Sequence, residues 1–430
     1  RILVRFTDVS VSPLKADLLA IARAGVDAVG AHRVLDRALG DSRVAEVLTG
    51  RPLHVLAVGK AAAAMAAAFV AIPHLSVVRT LAIGTHTHDG LPSHVEWMES
   101  SHPYPDARSE LAGHRALALA EGVHSGEAMV ILLSGGASAL MAAPMEGLTL
   151  ADKIDTTRRM MTAGADIHAL NTVRRHLSRV KGGRLAAACV GTTITLAISD
   201  VVGDDLHAIG SGPGVPDDST WADAAAALER FGGDAHADTV TGVVRRGLAG
   251  EIADTPKTGH AALSRAVARV IGSRLDAMEG AAGEARRRGY EAIVVEEPVT
   301  GEARDVAPRW LTHARERVGQ RRRVCLVSSG ETTVRVTGTG RGGRNLEFVL
   351  SLAEPVAAWA RAAVCSIGTD GIDGSSGVAG GMVDASSLVR ARAAGLPAPE
   401  HFLAANDSLA FFAPLGDTVR LGRTDTNVGD

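Results

Sequence analysis

Lysine is scarce in this sequence. Of 45 basic residues among 430, only Lys15, Lys60, Lys153, Lys181 and Lys257 are lysine, and the rest are arginine. Together with abundant alanine this reads as a codon preference, so an arginine at any one position says little and a retained lysine slightly more. Aromatic residues are equally rare, with 4 Trp, 2 Tyr and 7 Phe, which argues against a nucleic-acid binder built on base stacking. The formal net charge of −3 withholds the electrostatic pull such a protein needs. Three cysteines, Cys189, Cys325 and Cys365, have neither metal-ligand spacing nor an even-numbered disulfide framework, which suits a reducing compartment. The longest apolar run, 61–72, is too short to span a bilayer, and no basic-then-apolar leader opens the chain. The expectation is a soluble cytoplasmic protein with neither a nucleic-acid nor a membrane partner.

What the sequence has in quantity is apolar residues, 46%, and glycine, 48 in all. The length allows two domains, each with a sizeable core. Apolar runs at 53–58, 77–84, 128–133 and 192–198 read as buried strands, with helices near 108–123 and across 149–188 between them. Glycine at the strand ends adds to a pattern that predicts a parallel, helix-covered sheet. A stretch rich in Gly, Pro, Asp and Ala at 210–250, then a predicted helix over about 260–289, places a boundary that gives domains 1–250 and 251–430. The second domain reads as strand 291–295, helix 303–318, strand 323–328, a hairpin-like strand 332–337, helix 344–361, strand 363–367 and a helix near 404–413. No 20–50-residue period repeats, which excludes a solenoid. The predicted fold class is α/β in two domains, the first Rossmann-like.

In such sheets ligands gather outside the carboxyl ends of strands, where helix N-termini and free N–H groups converge. Gly59-Lys60 follows one strand, and a lysine in a first helical turn opposes the macrodipole, which favours an anion-binding role over a solvated one only evenly. Ser134, Gly135, Gly136 and Ser138 follow another, offering N–H and hydroxyl donors, although a serine-capped tight turn has the same composition. Asn171, Arg174 and Lys181 lie in a basic segment that suits an anion or a solvated face. Asp200 and Asp204 follow the fourth strand, where carboxylates hold Mg²⁺ or take a hydroxyl proton. The run 337–345 sets Gly340, Gly342, Gly343, Arg344 and Asn345 before a helix carrying Glu347. Gly338, Gly340 and Gly343 with Asp370 also satisfy the dinucleotide fingerprint, a weak signal by itself. His86-Thr87-His88-Asp89 lacks the third ligand a zinc site requires.

Taken in order, AVGKAAAAMA (57–66), SHPYPD (101–106), LLSGGASAL (132–140), LNTVRRHLSRVKGGRLA (170–186), ISDVVGDDLHAIGSGP (198–213), SSGETTVRVTGTGRGGRNLEF (328–348), GTDGIDGSSGVAGGMVD (368–384), NDS (406–408) and TNV (426–428) resemble the glycerate 2-kinase family with its C-terminal MOFRL region, here about 322–428. The resemblance implies ATP-dependent phosphorylation of the 2-hydroxyl of D-glycerate, with Mg²⁺, in a cleft between two α/β domains. It makes Lys60 and Arg344 active-site cations; Asp200 and Asp204 fall where family members also carry acids, so metal binding or hydroxyl activation is the expectation there, with Asp200 the catalytic carboxylate. From their place at strand ends and in the turns beside them, Ser134, Gly135, Gly136, Ser138, Asn171, Arg174, Lys181, Gly340, Gly342, Gly343, Asn345 and Glu347 are expected as substrate or phosphate contacts, and Asp200, Asp204 and Asp370 as candidate Mg²⁺ ligands. The partners are D-glycerate and ATP; a homodimer is compatible with this, and the sequence does not fix the oligomeric state. Leu346 and Asp425 depart from the family pattern, where glutamine and glycine are expected. An NAD(P)-dependent hydroxypyruvate reductase is the alternative reading, and a sugar-phosphate sensor a third.

Overall fold

The structure, a computed structural model, describes residues 1–6, 11–86, 90–359 and 361–430. Its strands, in chain order, are β1 (Ile2–Phe6), β2 (Pro52–Val58), β3 (Ser76–Gly84), β4 (Val95–Glu99), β5 (Ala128–Leu133), β6 (Thr192–Ile198), β7 (Ala266–Gly272), β8 (Glu291–Glu302), β9 (Arg323–Thr333), β10 (Ala362–Ile367), β11 (Gly380–Asp384) and β12 (Thr418–Val419). They form two six-stranded sheets in two compact units, 34–271 and 1–33 with 272–430.

In the unit 34–271 the strand order is β4-β3-β2-β5-β6-β7. The pairs β2/β3, β3/β4, β2/β5 and β5/β6 are parallel. β5 reads AMVILL and is buried at every position, as a strand covered by helices on both faces must be. Leu56, Ile83, Met129, Ile131 and Leu133 pack with Ala112, Ala116 and Leu119 of helix Ala107–Glu121. From β2 the chain runs outward through β3 and β4, then returns to the other side of β2 for β5. That reversal opens a crevice between the carboxyl ends of β2 and β5.

The other unit has the order β12-β11-β10-β1-β9-β8. β1 is antiparallel to both its neighbours, whereas β8 and β9 are parallel, so this sheet is mixed. The alternation along β1 sends Ile2 and Val4 to one face, against Leu14, Leu18 and Ile21 of helix Val11–Ala28 and Met278 of helix Arg274–Arg287. Leu3 faces the opposite layer with Leu311, Phe348 and Phe412, as the two-residue strand period requires. All three cysteines are buried and unpaired.

Several boundaries differ from the sequence expectation. The division predicted at 250/251 falls later, because residues predicted as the start of a helix (260–289) contain β7, whose Ala-Val-Ala-Arg-Val-Ile alternation joins the sheet beside β6. The first residues belong to the second sheet because β1 inserts between β9 and β10. The hairpin predicted at 332–337 is absent: β9 continues unbroken to Thr333. The predicted helix 344–361 is two short helices, Arg344–Leu350 and Ala353–Ala357. Among the described residues no helix is long and apolar enough to cross a membrane.

Candidate active site

The loops after β2 and β5 meet at the crevice and are laced by backbone. The Ser134 N–H donates to the Val58 carbonyl at 3.0 Å, the Lys60 N–H to the Gly135 carbonyl at 2.9 Å, and the Ala61 N–H to Ser134 Oγ at 3.0 Å. Gly59 has φ +129°, and a Cβ there would lie 2.1 Å from Ser134 Oγ and 2.5 Å from its carbonyl oxygen. The Ser134 hydroxyl, fully buried, is thus committed to holding the lysine loop. The Lys60 stem runs past Gly136, its Cγ 3.6 Å from where a Gly136 Cβ would stand, with the His102 ring on the same spot at 3.0 Å. Desolvation, and then the Lys60 charge, hold the His102 imidazole below its ordinary pKa, so the ring beside the lysine is neutral at pH 7.

Next to this turn lies a cavity of about 510 Å³, lined by His102, Gly136, Ser138, Lys153, Arg174 and Lys181 among others. Lys153 comes from helix Leu150–Thr162, which Thr149 and Asp152 start with a capping box. It shares the buried face of that helix with Thr156 and Met160, the i, i+3, i+7 spacing of an inward stripe. Arg174 and Asn171 come from helix Ile167–His176. Lys181, 2% exposed, donates to the Ser138 carbonyl at 2.8 Å and to Ser138 Oγ at 2.7 Å. Ser138 Oγ in turn meets Ser211 Oγ at 3.0 Å, and Ser211 donates to Asn171 Oδ1 at 3.2 Å. The structure therefore brings Ser138, Asn171, Arg174 and Lys181 into one neighbourhood, three of them lining one cavity.

Lys153 was not among the residues singled out by sequence; its only signal was the rarity of lysine. It is 8% exposed, and its Nζ has no hydrogen-bond partner among the described residues. Burial, and then the Arg174 charge, push it down to about 7, with Glu110 opposing. Lys181 is held well below the ordinary lysine value by burial and by Lys153 and Arg174. In the unfolded chain Lys153 keeps its proton up to about pH 10.4. Between pH 7 and that value the unfolded state binds the extra proton, so stability rises with pH, and below pH 7 the whole cost of the buried charge is present. Lys153→Met is accordingly expected to raise the melting temperature by several degrees at pH 6 and by less at pH 9.5, which calorimetry at the two pH values checks.

Asp200 and Asp204 occupy the loop after β6. Asp204 has φ +55°, and its Oδ1 is buried without a hydrogen-bond partner among the described residues. An orphaned carboxylate oxygen on a strained loop is the donor a cation would satisfy. Mg²⁺ commonly takes one or two carboxylates and completes its shell with water and phosphate oxygens, so these residues fit the ion. Among the described residues no group of three or more His, Cys, Asp or Glu gathers as a metal site. The Asp370 carboxylate, in the other unit, accepts from the Ile372 N–H at 3.1 Å. Residues 87–89 of the His86–Asp89 run lie outside the described residues.

In the second unit Arg344 opens helix Arg344–Leu350. Its guanidinium donates to Glu331 at 3.0 Å and to Asp430 at 3.1 Å, and its side chain is one-third exposed. Asp373, buried and pushed up to about 6 by that burial, accepts from the Asn345 N–H at 3.0 Å and the Leu346 N–H at 2.8 Å. Asn345 also bonds Ser366, and Glu347 is bound by Asn406 at 2.7 Å and Arg304 at 2.7 Å. Both Asn345 and Glu347 are buried and spend their polar atoms on the interior of the unit. The glycines of the 338–343 loop are matched by close packing: a Cβ at Gly338 would meet the Ala405 carbonyl at 2.1 Å, and one at Gly340 or Gly343 would lie 2.3 Å from Asp407 or Asp373. Leu346, the departure from the family pattern, is fully buried in the apolar layer.

Two family models match the chain: the domain of unknown function DUF4147 over 17–245 and the MOFRL family over 324–430. A glycerate 2-kinase of Pyrococcus horikoshii is 37% identical over 87% of this chain and 85% of its own length. A protein of Agrobacterium vitis named, provisionally, a hydroxypyruvate reductase is 38% identical over 93% and 92%. The crystal structure of a glycerate kinase from Thermotoga maritima superposes with a TM-score of 0.86 at 32% identity, covering 97% of this chain and 98% of that one. On these matches, spanning both units and nearly the whole length, the chain belongs to the glycerate kinase family.

Proposed function

We propose that this chain is an ATP-dependent glycerate 2-kinase, forming 2-phospho-D-glycerate and ADP. The observation that carries the reading is the meeting of the Gly59-Lys60 and Ser134–Ser138 loops at the crevice of a parallel sheet, beside a cavity lined by buried cations. The 2-hydroxyl oxygen bonds the γ-phosphorus, the bond from that phosphorus to the ADP oxygen breaks, and the hydroxyl proton passes to a carboxylate, which we assign to Asp200. Lys60 neutralises charge on the transferring group, the largest demand of phosphoryl transfer on a protein. Asp200 and Asp204 would hold Mg²⁺, which when bound supplies charge neutralisation on the phosphate oxygens. Arg344 is assigned to phosphate in its own unit, with Glu331 and Asp430 fixing its fork.

The dinucleotide alternative has less support in the geometry. Its fingerprint needs the glycine turn directly between strand and helix, yet residues 334–343 separate β9 from the helix. The first N–H groups there, where a pyrophosphate would dock, are already taken by Asp373.

Incubation with D-glycerate and ATP, and separately with hydroxypyruvate and NADH, decides between the two. ADP formation with 2-phosphoglycerate identified by phosphorus NMR is expected; NADH consumption without ADP would overturn the assignment. Arg344→Lys keeps the charge but loses the bidentate fork, and a fall in kcat/KM of roughly tenfold or more is expected from steady-state rates.

A further inference from the structure

We infer that the cavity walled by Lys153, Arg174 and Lys181 seats the carboxylate of the acceptor, and that Lys153 is the residue by which the site selects an acid over a neutral polyol. The inference rests on the kinase reading and names a substrate-binding group within it.

Four basic side chains line the cavity; Arg158 is paired with Asp155, whereas Lys153, Arg174 and Lys181 form no ion pair among the described residues. Each depresses or is depressed by another: Arg174 acts on Lys153, and Lys153 and Arg174 act on Lys181, with Glu110 the opposing charge felt by Lys153. Buried charges are ordinarily paired, because an uncompensated one costs several kcal/mol. An arrangement that gathers Lys153, Arg174 and Lys181 with no ion pair to any of them is completed by an anion. Pro103, Ala139, Ala142, Leu150, Ile154 and Met161 give the wall an apolar part, and apolar surroundings strengthen ion–ion contacts.

The anion is better identified as a carboxylate than as the nucleotide phosphates. Nucleotide phosphates come with a divalent cation, and among the described residues no carboxylate lines this cavity; the Asp200–Asp204 loop stands at the end of a different strand. A neutral polyol would leave Lys153 without a partner, and a site that must leave a buried polar group unpaired rejects the wrong ligand strongly. The Gly136 and Ser138 wall joins this cavity to the Lys60 turn, so an acid anchored here has its 2-hydroxyl on the side where Lys60 lies.

Calorimetric titration of the full chain with D-glycerate, glycerol and inorganic phosphate, without ATP, tests this beside steady-state kinetics. For Lys153→Met the D-glycerate Kd and KM are expected to rise about a hundredfold or more, while the KM for ATP stays within about threefold. At pH 8 wild-type binding of D-glycerate takes up a proton, seen as a dependence of the heat on buffer ionisation, since the anion returns Lys153 toward its ordinary value; Lys153→Met loses that uptake. Should Lys153→Met not fold, Arg174→Gln is expected to show the same split between glycerate and ATP. Wild-type glycerate affinity in the folded variant, a loss confined to ATP, or inorganic phosphate binding more tightly than glycerate and competing with ATP would each overturn the inference. Failure of the kinase reading is separately visible: wild type then makes no ADP from glycerate and ATP, and the cavity assignment still stands or falls on whether D-glycerate binds and Lys153→Met weakens it.

Discussion

Lys60→Ala is expected to lower kcat for glycerate phosphorylation by about a thousandfold, with melting temperature and circular dichroism unchanged. The size follows from removing a preorganised cation from the place where charge develops on the transferring group, a loss of typically two to three orders of magnitude. The unchanged fold follows from the loop geometry. The contacts that fix the turn, Lys60 N–H to Gly135 O and Ala61 N–H to Ser134 Oγ, use the backbone N–H groups of residues 60 and 61, which alanine keeps. A second readout comes from His102, whose imidazole the Lys60 charge helps hold below its ordinary value. Its pKa, followed by proton NMR, should rise in Lys60→Ala. Near wild-type turnover would remove Lys60 from the chemistry, and an unmoved His102 titration would place the ammonium elsewhere than beside Gly136.

The parallel sheet was largely legible from residue pattern. The runs 53–58, 77–84, 128–133 and 192–198 coincide with β2, β3, β5 and β6 within one residue, because a strand buried on both faces leaves an unbroken apolar signature. Glycine and lysine after β2, and the serine-glycine turn after β5, announced two loops, but their meeting depends on strand order, which no local pattern encodes. The mixed sheet was harder to read. β1 is antiparallel to strands more than 300 residues away, and the half-alternating β7 runs into an alanine-rich helix that masks it.

The site shows the same division. Arg174 and Lys181 stood out within a basic segment, whereas Lys153 sits on a helix whose other residues give it the look of an ordinary polar position. Only the burial of its ammonium beside two other cations separates it from Lys15, which is paired with Asp384 and Asp417. The glycine-arginine loop shows the reverse case. Its composition suggested an anion cradle, but Asn345, Glu347 and the glycines are occupied by Asp373, Asn406 and the 405–408 backbone, contacts set by residues far along the chain.

Gly59→Ala should cost about 2–5 kcal/mol of stability, the sum of left-handed strain and overpacking in a filled space. At φ +129° an alanine is strained whatever surrounds it, and here its Cβ meets the Ser134 hydroxyl and, more seriously, the Ser134 carbonyl. The hydroxyl can rotate away only by releasing the Ala61 N–H, and the carbonyl belongs to the residue directly after β5, whose N–H is tied to the Val58 carbonyl, so it cannot yield without moving the ends of β5 and β2. Gly136→Ala is the internal comparison. Its φ of +86° carries similar strain, but its Cβ meets the His102 ring at 3.0 Å and the Lys60 stem at 3.6 Å, side chains that can swing aside, so about 1–3 kcal/mol is expected. Urea unfolding of both variants measures the difference. Equal losses would show that φ alone governs the turn, whereas a larger loss at Gly59 would show that the contact between the two loops sets the tolerance. In the second case the Gly59→Ala protein that remains folded should also turn over more slowly, because the carbonyl it displaces lies in the turn to which the Lys60 backbone is tied.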